Sequence, residues 1–200
     1  RTIKSMHIGT SRIILRDLRT SDKAGFVSYQ MDPRYLRLYD LDHDPARAED
    51  LFDRFIRWQT ETPRLHYQAG IFDAATDRLC GVAGLRKKEG DPDSAVLGLE
   101  LAPSEWGRYR IAFDTVACLI EHGFGALRLQ TISGDTASGN RRIEKLALWF
   151  GARVERRGDG PEWMRARGWD EVEGVLRRAE WSNSDQREKL LQRLAIADLH

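Results

Sequence analysis

The chain has 200 residues, of which 41% are hydrophobic and 32% charged, a balance typical of one globular domain and not of a fibrous or disordered protein. Its 32 basic and 31 acidic side chains leave a formal net charge of +1, so no overall positive field favours nucleic acid or an anionic membrane as a partner. Cys80 and Cys118 fit neither a disulfide framework nor a metal site, which predicts a cytoplasmic protein without a bound metal. We also expect no membrane span and no signal peptide.

Seven segments show the two-residue hydrophobic alternation of β-strands. The most regular one places Leu97, Leu99 and Leu101 on one face and Glu100 on the other, because successive strand side chains point to opposite sides. Turn-forming residues separate the second, third and fourth segments, which indicates antiparallel neighbours. The predicted strands are residues 12–18, 67–72, 79–86, 95–102, 127–133, 153–157 and 171–179.

Five segments carry helical signals. Asp32-Pro33 should end the first helix, because the residue before a proline avoids helical dihedrals. Asp44-Pro45 supplies the N-cap and first-turn proline of the second helix, and Asp185 with Glu188 resembles a capping box that opens the last. The predicted helices are residues 23–31, 45–58, 111–120, 140–150 and 185–194. The order β-α-α-β-β-β-α-β-α-β-β predicts one α/β domain with a mixed, mostly antiparallel twisted sheet of about seven strands, flanked by helices and followed by an extra C-terminal helix.

This order of elements and four short motifs resemble the GNAT superfamily of acyl-CoA-dependent N-acetyltransferases, and within it the branch that acetylates ribosomal-protein N-termini. The motifs are Arg12-Ile13-Ile14-Leu15-Arg16 with Ser21-Asp22, Leu99-Glu100-Leu101-Ala102-Pro103 with Trp106-Gly107-Arg108, Asn140 with Leu146 and Gly151, and Val175-Leu176-Arg177 with Glu180-Trp181. Since they span residues 11–181, the resemblance implies a GNAT-like acyltransferase domain over residues 1–181 and a helical extension over residues 182–200.

The resemblance implies direct transfer of an acetyl or related acyl group from acyl-CoA, with acetyl-CoA as the expected co-substrate, to a primary amine. That amine would belong to a small molecule, a protein N-terminus or a lysine. Glu100 would act as the general base through water, because an ammonium must lose a proton before its nitrogen attacks. The residues implied in CoA binding are Leu101, Trp106, Gly107, Arg108, Arg110, Ile111, Ala112 and Asn140.

The loop implied to hold the CoA pyrophosphate departs from the family pattern. A glycine there lets the backbone approach phosphate at a helix N-terminus, yet Tyr109 stands at the expected glycine and Ile111 at an expected small residue. Ala147 replaces the tyrosine that protonates the leaving thiolate in many members. Arg108 and Arg110 can compensate by binding phosphate. The alternatives are a GNAT-fold binding or regulatory module without turnover, or an enzyme that uses a different donor.

Several candidates also have a purely structural interpretation. Glu100 is equally explained as an exposed glutamate or the ion-pair partner of an arginine, and Asn140 as a helix N-cap. The leucines of the C-terminal helix need a surface to cover them. That surface is either the chain's own domain or a second copy in a homodimer.

Overall fold

The computed structural model describes residues 5–198 and contains one mixed β-sheet flanked by helices. The strands are β1 (His7–Gly9), β2 (Ile13–Arg16), β3 (His66–Asp73), β4 (Leu79–Lys88), β5 (Asp91–Leu101), β6 (Thr131–Ala137), β7 (Arg153–Asp159), β8 (Asp170–Arg177) and β9 (Ala197–Asp198). The helices are α1 (Lys23–Gln30), α2 (Pro33–Tyr39), α3 (Pro45–Trp58), α4 (Tyr109–Gly125), α5 (Arg141–Trp149), α6 (Glu162–Arg165), α7 (Arg178–Ser182) and α8 (Asp185–Arg193). No helix among these is long and apolar enough to cross a membrane.

The nine strands lie in the order β7-β8-β6-β5-β4-β3-β2-β1-β9. Every neighbouring pair is antiparallel except β5 and β6, which are parallel. The predicted α/β domain with a mixed, mostly antiparallel sheet is therefore confirmed. The sheet has nine strands where about seven were predicted, because the short neighbouring strands β1 and β9 carry too few residues to show an alternating pattern.

Two other boundary predictions were wrong. The segment predicted as the strand over residues 127–133 is a strand only from Thr131, and Leu127 and Leu129 are instead buried in the connection from α4. Pro33 was predicted only to end a helix, but it also begins α2, where Asp32 caps the backbone N–H of Arg34. A proline is well accepted at the first helical position because that N–H has no helical partner.

The two faces of the sheet bury separate hydrophobic clusters. Leu97, Leu99 and Leu101 of β5 pack with α4 and α5 on one face. On the other face, α1 and α3 contribute the buried rings of Phe26 and Phe52. The alternation predicted for β5 is thus confirmed, and it turns Glu100 toward the face covered by α1, α2 and α3.

The parallel strands β5 and β6 pair over only three residues each. Ser94–Val96 face Thr131–Ser133 in register, whereas residues 97–101 and 134–137 form no pairs with one another. The strands therefore diverge toward their carboxyl ends. The helices that follow them, α4 and α5, begin at this same edge of the sheet, so the divergence leaves a gap between β5 and β6 that opens beside two helix N-termini.

The C-terminal helix α8 packs on its own domain. Leu190 and Leu194 are 1% and 6% exposed and belong to the cluster around α4. Arg187 donates to both carboxylate oxygens of Glu121 at 2.9 Å. The leucines therefore do not require a second copy of the chain. The predicted capping box at Asp185 was wrong, because Ser184 is the N-cap and accepts from the backbone N–H of Arg187.

Shortening the buried leucine of α8 tests this packing. Leu190→Ala is expected to lower the free energy of unfolding by about 2–5 kcal/mol, since a cavity replaces a buried side chain. Leu191→Ala is the matched control, because Leu191 is 45% exposed, and its effect should stay within about 0.5 kcal/mol. Urea denaturation at two protein concentrations measures both. Equal effects, or a Leu190→Ala effect that changes with protein concentration, would contradict packing within one chain.

Candidate active site

Glu100, near the end of β5, is held by three hydrogen-bond donors from α1 and α2. The Tyr29 hydroxyl and the Gln30 amide nitrogen donate to Oε1 at 2.8 and 2.7 Å. The Tyr35 hydroxyl donates to Oε2 at 2.8 Å. Glu100 is half-buried, and none of the ion pairs found in residues 5–198 includes it. The interpretation of Glu100 as an exposed glutamate or arginine partner was therefore wrong.

The Glu100 carboxylate is arranged to accept one more hydrogen bond. An ionised carboxylate offers about four lone-pair positions, and the three donors occupy two on Oε1 and one on Oε2. Burial raises the pKa of Glu100 above the ordinary carboxylate value, while the hydrogen bonds from Tyr35, Tyr29 and Gln30 act in the opposite direction. A carboxylate with a raised pKa is a stronger base, and the open position on Oε2 is where a proton donor can meet it.

The sequence did not single out the residues that hold Glu100. Tyr29, Gln30 and Tyr35 lie 65–71 residues before Glu100 in the chain. Tyr29 and Gln30 close α1, and Tyr35 lies in the unpredicted α2. No spacing rule links two helices to a distant strand, so only tertiary packing brings these side chains to the carboxylate.

The loop between β5 and α4 has the backbone conformation of a turn that needs glycine. Gly107 has a φ of +89°, where a residue with a Cβ is strained. Within the described part of the chain, the backbone N–H groups of Gly107 and Arg110 donate no hydrogen bond to backbone or side chain. These unpaired donors at the start of a helix form an electropositive site of the kind that binds anions.

The Tyr109 ring is directed toward Phe113 on α4. The ring lies 6.1 Å from that of Phe113, one helical turn later in α4, and Tyr109 is 46% exposed. The side chain therefore extends along the surface of α4. Nearly half of the side chain is open to solvent at the start of α4.

The loop residues predicted to bind a cofactor lie together, but only some of their side chains are free to contact a ligand. The Trp106 indole donates to the Leu101 carbonyl oxygen at 3.0 Å. Arg108 forms an ion pair with buried Glu105 at 3.1 Å, so it is less free than the exposed Arg110. Ile111 packs against the core cluster and Ala112 is buried within it, which leaves only their backbones for a ligand.

Asn140 and Arg142 bring the start of α5 to the same loop. Asn140 is the N-cap of α5, and its side chain accepts from the backbone N–H of Ile143 at 3.5 Å, which confirms the structural interpretation of this residue. Arg142 Nη1 lies 3.6 Å from the position that a Cβ on Gly107 would occupy. The sequence analysis missed Arg142, because the proximity of α4 and α5 depends on the gap between β5 and β6.

Comparisons with known proteins agree with this geometry. A family profile described as an acetyltransferase (GNAT) domain matches residues 12–153. The uncharacterised N-acetyltransferase p20 from Bacillus licheniformis is 24% identical over 139 residues, which are 68% of this chain and 76% of that protein. The Vibrio cholerae spermidine N-acetyltransferase, solved with CoA and spermine, has a TM-score of 0.68 at 17% identity, over 86% of this chain and 99% of that one. A candidate ribosomal-protein-serine acetyltransferase from Vibrio cholerae has a TM-score of 0.68 at 20% identity, over 86% and 97% of the two chains. The solved structures show a shared fold.

Proposed function

The chain belongs to the GNAT family of acetyltransferases, and we propose that it transfers an acetyl or related acyl group from acyl-CoA directly to a primary amine. The observation that carries this proposal is the Glu100 carboxylate, which three donors orient while one acceptor position on Oε2 stays open. That arrangement suits a base that receives the proton of an acceptor ammonium, directly or through one water.

The proposed reaction has three steps. Glu100 removes one proton from the acceptor ammonium, and the freed nitrogen lone pair attacks the thioester carbonyl carbon. The tetrahedral intermediate then collapses, the carbon–sulfur bond breaks, and the sulfur leaves with the bonding electrons. The nitrogen loses its second proton as the amide forms, and because Ala147 cannot donate a proton, that proton reaches the thiolate directly or through water.

Acetyl-CoA is proposed to bind in the gap between β5 and β6, with its diphosphate at the start of α4. The divergence of the two strands beyond Val96 and Ser133 supports this placement. So do the positive φ of Gly107 and the unpaired amides of Gly107 and Arg110. Arg110 and Arg142 border the same loop and supply the positive charge that a diphosphate requires.

Further features of the proposal come from the sequence motifs. We place the chain nearest to the branch that acetylates ribosomal-protein N-termini, on the motifs quoted above and on the fold shared with the Vibrio cholerae candidate. Residues 1–181 form the proposed acyltransferase domain, and residues 182–200 extend it. We propose a cytoplasmic location, on the pair of cysteines that form no disulfide.

The direct test is acetyl transfer by the full chain. Acetyl-CoA and a panel of primary amines are incubated with the protein, thiol release is followed, and the product is identified by mass spectrometry. The proposal predicts thiol release that depends on the amine, with one acetyl group added to it. Binding of acetyl-CoA without turnover of any amine would instead establish the binding-module alternative. Absence of acetyl-CoA binding would favour a different donor.

Removing one donor from Glu100 should move the pH profile. Tyr35→Phe is expected to shift the acid limb of kcat/KM to higher pH by about one unit, the equivalent of a charged hydrogen bond of roughly 1.5 kcal/mol. The Tyr35 hydroxyl favours the ionised carboxylate, so its loss raises the pKa of Glu100 further. Activity then falls earlier as the pH decreases and the base is protonated.

Tyr39→Phe is the matched control for this measurement. The Tyr39 ring contacts that of Tyr35 at 4.7 Å, but no hydrogen bond joins its hydroxyl to Glu100 within the described residues. Its acid limb should therefore coincide with that of the unmodified protein. If Tyr35→Phe also left the limb unmoved, Glu100 would not be the group whose titration sets it.

A further inference from the structure

Gln30 carries a buried oxygen without a partner directly beside Glu100. The residue is 0% exposed, and its amide nitrogen donates to Glu100 Oε1 at 2.7 Å. Its Oε1 has no hydrogen-bond partner among the described residues. Buried polar atoms are nearly always paired, because an unpaired one loses the hydrogen bonds that it made with water. The site around Glu100 therefore has an acceptor for which residues 5–198 supply no donor.

Arg47, in the first turn of α3, has buried donors without a partner among the described residues, whereas Gln30 has a buried acceptor without one. Arg47 Nε and Nη2 are buried and make no hydrogen bond within residues 5–198. Leu51, one helical turn later on the same face of α3, packs in the cluster that contains Tyr29 and Tyr35. That face of α3 therefore covers the residues that hold Glu100, and the charge of Arg47 accordingly lowers the pKa of Glu100. No ion pair of 4.0 Å or less joins them. A positive charge held away from water without an anion beside it is unfavourable.

Arg47 has carboxylates near it on the surface, yet its Nε and Nη2 are buried. Asp44 and Asp50 border the same surface depression as Arg47, yet neither forms an ion pair with it in the described structure. Asp44 instead caps α3 by accepting from the backbone N–H of Arg47 at 3.3 Å. This cap fixes the start of the helix and thereby the point from which the guanidinium reaches inward. Arg47 is half-buried and lines this depression, so part of its side chain stays open to solvent.

Aromatic rings enclose the same region and lower its polarity. Tyr29 and Tyr35 lie 6.1 Å apart, Tyr35 and Tyr39 4.7 Å, and Tyr39 and Trp163 5.3 Å, measured between ring centroids. Arg167, near Trp163, donates to the Arg37 carbonyl oxygen at 2.9 Å, which ties the segment around α6 to α2. Charge interactions gain strength where water is excluded. The charge of a substrate should therefore have a large effect on how tightly it binds here.

We propose that the acceptor is a small zwitterionic amine, with its ammonium between Glu100 Oε2 and Gln30 Oε1 and its anionic group on Arg47. This inference rests on the proposed function and names its substrate class: an amine that also bears a carboxylate, as an amino acid does. Gln30 Oε1 then accepts a hydrogen bond from the ammonium, and Arg47 Nε and Nη2 donate to the anionic group. An amine without an anionic group leaves the Arg47 nitrogens unpaired and adds a second cation near them, so the site rejects it.

Matched acceptors test the proposal without any substitution. Thiol release from acetyl-CoA is measured with free amino acids, with the corresponding amino-acid amides, and with spermidine. We expect kcat/KM for the best amino acid to exceed that for its amide by at least about 10-fold, because only the carboxylate pairs with Arg47. Equal or faster turnover of the amides or of spermidine would overturn the inference and leave the proposed function standing. No thiol release with any amine would overturn both.

Variants of α3 then assign the preference to Arg47. Arg47→Gln should bring the ratio of kcat/KM for the amino acid to that for its amide close to 1, because it removes both the partner of the carboxylate and the charge that repels the amide. Arg47→Lys, which keeps the charge, should restore part of the preference. Arg54→Gln is the control, because Arg54 is exposed on the same helix and borders the same depression, and it should change nothing. A full preference retained in Arg47→Gln would contradict the assignment.

Discussion

Replacing Glu100 by glutamine is expected to lower kcat/KM for acetyl transfer by about 10²–10⁴-fold, the usual contribution of a positioned general base. Glutamine has nearly the same size, and its oxygen can replace Oε1 as the acceptor for Tyr29 and Gln30 while its amide nitrogen donates to the Tyr35 hydroxyl oxygen. It cannot take a proton from the acceptor. The loss should therefore appear in turnover while the fold is kept. Thiol-release kinetics and thermal unfolding of the same sample measure the two effects separately.

The control for this substitution is Glu89→Gln. Glu89 is exposed at the turn between β4 and β5, at the opposite end of the hairpin from Glu100, so the change removes the same charge without touching the site. Its kcat/KM should match that of the unmodified protein. A folded Glu100→Gln variant with activity within about 2-fold of the unmodified chain would remove Glu100 from the proposed reaction.

Adding a side chain at Gly81 should disrupt both stability and activity. Gly81 lies opposite Leu101 across β4 and β5 and has a φ of +154°. A Cβ there would clash with the backbone oxygen of Glu100 and lie 2.9 Å from the Leu101 Cα. The backbone conformation alone costs about 1–3 kcal/mol in a residue other than glycine, and the clash adds to it, because β5 must move away from β4. Gly81→Ala therefore displaces the strand that carries the proposed base.

Gly90→Ala separates the cost of the backbone conformation from the cost of the clash. Gly90 also has a positive φ, of +76°, but nothing lies within 4 Å of its added Cβ. It should show only the conformational cost, about 1–2 kcal/mol, with activity retained. Urea denaturation and thiol release measure both variants. Equal destabilisation by the two substitutions would mean that close approach to the Glu100 backbone does not matter at Gly81.

The position of Glu100 could be predicted from the sequence because it depends on local geometry. The alternation of Leu97, Leu99 and Leu101 fixes which residues share a face, and a strand with one apolar face has little freedom of register. The structure confirmed that face. Its surroundings could not be predicted, because Tyr29, Gln30 and Tyr35 reach Glu100 only through packing of α1 and α2 on the sheet.

Hydrophobicity alone predicts the wrong boundary for β6. Leu127 and Leu129 are as apolar and buried as strand residues, yet Arg128 between them has a φ of +55°, which no regular strand contains. Hydrophobicity predicts whether a side chain is buried, but it does not predict the backbone conformation of that residue. The same limit applies to Tyr109. The sequence shows its size at the glycine position, whereas the direction of its ring depends on contact with Phe113.

The central claim is that the loop ahead of Ile111 binds a diphosphate although Tyr109 stands beside it. Isothermal titration of the full chain with acetyl-CoA, CoA and pantetheine tests this most directly. The account predicts saturable binding of both CoA compounds with Kd below about 1 mM, the upper range of enzyme–substrate affinities, and at least about 10-fold weaker binding of pantetheine, which lacks the diphosphate. No heat with either CoA compound would contradict it, and binding regained in Tyr109→Gly would identify the Tyr109 side chain as the cause.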